Sequence, residues 1–211
     1  MNASQLSRWS TVALMGGGVF LALFTSSHPA SEAQPTAATQ TQWMLAHSFH
    51  WVGAFLLLFG LMGLGARLLP RTDRLGLIAF MMAFTGTAIF FAGGVISAYI
   101  DPLLPVTALI SSGSAPGPLV PYIALIAIGA VCLVWGWALI AVALQRAGLL
   151  ALAPAVTLAA ASFFLLIPPP SVGPALLHAV QGVVFGAALV WVGLELRRGT
   201  ALQVGTAGSA A

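Results

Sequence analysis

The side chains able to do chemistry in this 211-residue chain are few, and four of them fall into a pattern. His47 and His50 are three residues apart, a spacing that puts both on one face of a helix. His178 is followed by Gln181 at the same spacing, and Asp101 follows Tyr99 at the end of another apolar run. His47 precedes Arg67 by twenty residues, and His178 precedes Arg198 by twenty. At about 1.5 Å per helical residue, twenty residues cover about 30 Å, the hydrocarbon thickness of a bilayer. His47 and His178 are therefore expected level with each other at the outer membrane boundary, with His50 and Gln181 one turn deeper and Tyr99 and Asp101 within reach.

Neutral imidazole is a common ligand for zinc, copper and haem iron, and a carboxylate can add a ligand or orient one. Two sites are open on this pattern. In one, His50 and His178 clamp a b-type haem from facing helices. In the other, His47, His50, His178 and Asp101 hold a zinc or copper ion near the outer surface. The simpler role for His47 and His178 is that of interfacial rings, alongside Trp43 and Trp51, with the polar edge in water. His28 falls in a polar loop and is read as solvated. Asp101, directly before Pro102, suits a turn at a helix end.

The elements that must position these residues are membrane helices. Hydrophobic residues make up 60% of the chain and charged ones 5%, against about a quarter charged in an ordinary soluble domain. Apolar runs predict six spans, at about 10–24, 43–64, 75–100, 119–144, 149–167 and 174–196. The expected fold is thus an all-α bundle of six transmembrane helices in one domain. Residues 25–42 and 101–118 form outer loops, and 199–211 form a disordered polar tail. Arg8, the short apolar stretch after it and the small-residue pattern Ser31-Glu32-Ala33 also fit a cleavable signal peptide, which would leave five helices in the same orientation.

All the basic residues are arginines: Arg8, Arg67, Arg71, Arg74, Arg146, Arg197 and Arg198. With both termini cytoplasmic, every one falls on the inner side, as the topology rule for positive charge requires. The net charge of +3 is thereby accounted for without a nucleic-acid partner. The use of Arg alone, with abundant Ala, Gly and Pro, points to a bacterial plasma membrane. Cys132 has no second cysteine to pair with.

No Walker sequence, His-Glu-x-x-His or Gly-x-Ser-x-Gly occurs. The middle of every predicted span lacks Asp, Glu, Lys and Arg, which disfavours ion-coupled transport. Glycine and alanine in the spans are read as close-packing residues. Three functions remain: a structural or accessory membrane component, a metal- or haem b-binding protein using the outer histidines, and a passive transporter of small solutes or lipids. No catalytic residue is assigned, and the enzyme question stays open because a bound metal could be catalytic, redox-active or structural. The partners are the lipid bilayer and other membrane proteins or further copies of the chain.

Overall fold

The computed structural model describes residues 3–29, 36–100, 102, 120–167 and 174–208. These residues form six α-helices and one short 3-10 turn: α1 (Ala3–Ser27), α2 (Gln40–Leu68), the turn Leu69–Arg71, α3 (Arg74–Tyr99), α4 (Val120–Arg146), α5 (Leu152–Phe164) and α6 (Pro174–Gly208). The protein is an all-helical bundle, and five of its helices, all but α5, are long and apolar enough to cross a membrane.

Each helix packs on its neighbours in sequence, and α6 returns to α1, so the bundle is a closed ring. Neighbours run antiparallel. Gly17 of α1 approaches Gly53 and Leu57 of α2, whereas Gly60 approaches Leu14 and Gly63 approaches Ser10. Gly86 and Gly136 bring α3 and α4 together at Leu133 and Ala83, and Gly18 and Gly186 bring α1 and α6 together. A Cβ at Gly186 would stand 2.3 Å from the Gly18 carbonyl oxygen, so only glycine permits that approach.

The antiparallel order puts the starts of α1, α3 and α5 at one end with the ends of α2, α4 and α6. All seven arginines belong to that end of the bundle, which is called the inner end below. Arg67 joins three helices there. Its guanidinium donates to the Ser7 carbonyl (2.8 Å), the Ser7 hydroxyl, the Thr11 hydroxyl (3.4 Å) and the Leu196 carbonyl (3.5 Å). Asp73 caps α3 by accepting from the Leu75 amide. Between α4 and α5, Gly148 takes a φ of 68° while the Leu149 amide reaches back to the Leu144 carbonyl, closing α4 in a Schellman-type turn.

Several helix boundaries differ from those the apolar runs suggest, α2 beginning three residues earlier and ending four later than 43–64. α1 extends to both sides of 10–24, and in its polar parts the Ser10, Thr11 and Ser27 hydroxyls donate to helix carbonyls one turn back. α6 continues through Gly208, past the start of the expected tail. α5 has 13 residues where 19 were expected, and is only about 20 Å long. It tightens at Leu165–Ile167 into i to i−3 bonds, and the three prolines that follow in sequence have no amide hydrogen with which to continue it.

The inner half of the ring is solid. Trp137 is fully buried at its centre, donates its indole N–H to the Thr87 hydroxyl (3.2 Å) and meets Phe185 edge-on. Leu57, Leu61, Ile140, Leu144, Leu158 and Leu189 fill the space around it. The outer half differs. Because α5 stops at Phe164, the outer part of α4 lacks that neighbour, and from residue 123 to 131 only Gly129 is buried.

Candidate functional site

The histidines converge at the outer end, around a phenyl ring. Phe24 of α1 stacks on His50 of α2 (ring centroids 4.5 Å apart, planes at 28°) and meets His47 at 5.4 Å, His178 of α6 edge-on at 5.7 Å and His28 edge-on at 5.6 Å. His28 contacts His47 at 5.0 Å and His178 at 5.7 Å, so it joins the histidines of α2 and α6. His47 and His50 are buried.

His28 belongs to this cluster and not to a solvated loop. The extra turn of α1 beyond Phe24 carries it there, with its amide bonded to the Phe24 carbonyl. Its imidazole Nδ1 donates to the Pro29 carbonyl at 3.0 Å, which leaves Nε2 as the lone-pair nitrogen. Burial, together with His47 and His178 beside it, lowers the His28 pKa to about 4, so the ring is neutral at pH 7. His47 is fixed in the same way: Nδ1 faces the Trp43 carbonyl at 3.0 Å, and because a carbonyl only accepts, the nitrogen carries the proton. Trp43 is buried and donates its indole N–H to the Ser97 carbonyl of α3 (2.7 Å), so it joins two helices and is no part of an exposed interfacial belt.

Gln181 does not pair with His178. Its amide nitrogen donates to the Phe164 and Ile167 carbonyls, both at 2.8 Å, and so caps the truncated end of α5. A helix ending at that depth needs such a partner, because its last carbonyls have no intrahelical donor and lipid supplies none.

His50 differs from His28 and His47, whose Nδ1 atoms face backbone carbonyls. Its ring lies between Phe24 and Phe90, the latter with a centroid 3.9 Å away, and Gly94 makes room for it: a Cβ there would stand 2.9 Å from the His50 ring. Neither Nδ1 nor Nε2 has a hydrogen-bond partner, and the Phe90 backbone beside it does not meet hydrogen-bond geometry. The Trp51 indole N–H is likewise buried without a partner. Unanswered buried nitrogens are rare in native proteins and call for an explanation.

A cavity of about 570 Å³ adjoins this ring. Five helices contribute to it, among them Leu21 and Phe24 of α1, His50 and Leu57 of α2, Phe90 and Gly93 of α3, Ile126 and Gly129 of α4, and His178 and Phe185 of α6, with Leu165 and Leu166 from the turn that follows α5. Its walls are mainly apolar and include no Lys, Arg, Asp or Glu. A Cβ on Gly93 would meet nothing within 4 Å, so that position faces open space.

The structure thus brings His47, His50 and His178 together and adds His28. Among the described residues, no group of three His, Cys, Asp or Glu is arranged to hold a metal ion. Phe24 occupies the middle of the cluster, and the Nδ1 atoms of His28 and His47 are taken by backbone carbonyls. The same phenyl ring touches both His50 and His178, where a planar group clamped between them would lie. Asp101 lies outside the described residues. Tyr99 is exposed and apart from the cavity lining. Spacing could not reveal the cavity or Gln181's cap, because both depend on where α5 ends. Comparison of the chain with protein-family models, with curated proteins and with solved structures yields no match.

Proposed function

We propose that the protein binds a lipid-soluble small molecule within the membrane, in the outer half of its helical ring. The observation that carries this reading is a mainly apolar cavity of about 570 Å³ whose lining includes His50 and His178. That volume falls within the usual range for small-molecule sites, which combine apolar walls with a few polar groups. A component serving only to pack would fill this space, as Trp137 and its neighbours fill the inner half. The exposed outer half of α4 offers approach from the bilayer, where such a ligand is concentrated, so binding and passive transfer of a lipid-soluble compound belong to one function.

The topology supporting this site is six spans with both termini cytoplasmic, in a bacterial plasma membrane. The gathering of every arginine at one end of the bundle favours that orientation. α5 then serves as a short sixth span, its irregular end facing the cavity, where membrane proteins tolerate such backbone.

The test is solvent extraction and mass spectrometry of protein purified in native-lipid nanodiscs, compared with Gly93→Phe, a substitution into the cavity lining at a position where a Cβ meets nothing within 4 Å. A near-stoichiometric compound in the wild type, absent from Gly93→Phe, is expected. Equal lipid profiles in both would sink the proposal. A haem spectrum lost on changing His50 and His178 to Ala would replace it with haem binding.

A further inference from the structure

The cavity is polar toward one end and apolar toward the other. We infer that its ligand is a single-chain amphiphile from the leaflet at the histidine end, lying with its chain inward and an uncharged head group at the level of Ser97, Tyr122 and His178. The inference rests on the cavity being a ligand site.

The polar side chains that line the cavity belong to the outer parts of their helices. Ser97 lies two residues before the end of α3, Tyr122 two after the start of α4 and His178 four after the start of α6. Gly86 against Leu133 and Gly136 against Ala83 fix the register of α3 on α4, and that pairing carries Ser97 to the level of Tyr122. Below His50 and Gln181 the walls are apolar, with Leu57, Ile89 and Leu133 at the bottom. Ile89 is eight residues from Ser97 and Leu133 eleven from Tyr122, so the cavity is roughly 12–17 Å deep, about half of a hydrocarbon core of about 30 Å. It is closed below, where Trp137, one turn past Leu133, is fully buried and bonded to Thr87.

A pocket of this depth and polarity has the layout of one leaflet, head group outward and chain inward. Its size suits one chain. A methylene takes up about the space of a water molecule, roughly 30 Å³, so about 570 Å³ holds roughly twenty such groups, a chain with a small head and not the two chains of a phospholipid. Ile123, Ile126 and Leu166 line the cavity and are also exposed on the outside of the bundle, so the cavity reaches the lipid-facing surface between α4 and the turn after α5. A chain can enter there sideways while its head group stays at the interface. No Lys, Arg, Asp or Glu lines the cavity, so a charged head group would find no counter-charge in its walls.

The experiment uses two photoreactive forms of monolaurin, an uncharged single-chain glyceride, with a diazirine either at the end of the chain or beside the ester. Each is cross-linked to full-length protein in nanodiscs, and the labelled residues are mapped by mass spectrometry. The chain-end probe is expected on the peptides around Leu57, Ile89 and Leu133, and the ester-side probe around Ser97, Tyr122 and His178. Excess unlabelled monolaurin should abolish both sets in the wild type, an equal excess of dodecyltrimethylammonium should not, and Gly93→Phe should lose both. Depths exchanged between the two probes, or labelling that unlabelled monolaurin does not suppress, would overturn the inference. Equal suppression by dodecyltrimethylammonium would overturn the uncharged head group. The extraction experiment decides the cavity reading separately: it stands if the wild type carries a compound that Gly93→Phe lacks, whatever the probes label, and falls with the inference if it does not.

Discussion

Replacing His50 by Phe should make the ligand-free protein more stable. An unanswered polar group in a buried site costs about 1–3 kcal/mol relative to its solvated state. His50 has two such nitrogens, each shielded from solvent, and its ring already lies between Phe24 and Phe90. Phenylalanine is close to histidine in size and suits the same stack, so little packing is lost. A gain of about 2 kcal/mol is expected, which for a chain of this length corresponds to roughly 4–8 °C in Tm. The assay is thermal unfolding of delipidated protein in mild detergent, followed by tryptophan fluorescence. A His50→Phe variant that melts several degrees below the ligand-free wild type would refute the reasoning, because it would mean that the nitrogens are paired inside the protein.

Three other outcomes are expected. Gly186→Ala should lower stability by about 1–3 kcal/mol, because its Cβ would stand 2.3 Å from the Gly18 carbonyl and push α1 from α6; Gly93→Ala, facing open space, should be neutral or slightly stabilising in the same melting assay. Gln181→Leu should cost about 1–3 kcal/mol by leaving the Phe164 and Ile167 carbonyls unanswered, and faster amide exchange at the end of α5 should accompany the lower Tm; wild-type stability would show that the cap is dispensable. His28 has a folded pKa of about 4 against 6.5 unfolded, so the unfolded chain binds the extra proton between those values and stability falls as pH drops from about 6.5 to 4. His28→Gln should make the dependence of Tm on pH shallower in that window, and an unchanged slope would count against a buried neutral His28.

Much of the site was legible in the sequence because it rests on helical periodicity and span length. The three-residue step between His47 and His50 and the matched distances of His47 and His178 from the arginines require only a helix of known rise, and both histidines meet the ring of His28. His28 and Phe24 were not legible in this way. His28 joins the cluster because α1 runs past its apolar stretch, and Phe24 because α1 packs against both α2 and α6.

The sequence by itself determined the class of the protein and the end to which its arginines go, because hydropathy and charge act additively over long runs and need no knowledge of neighbours. Only the tertiary structure decided what the outer histidines face. The closed ring depends on glycine contacts between helices far apart in sequence, such as Gly18 with Gly186. The cavity depends on α5 stopping at Phe164 and being capped from α6. Whether His50 finds a partner is likewise a property of the whole arrangement, since a hydrogen bond requires an atom at the right distance and angle, and no pattern along the chain encodes that position.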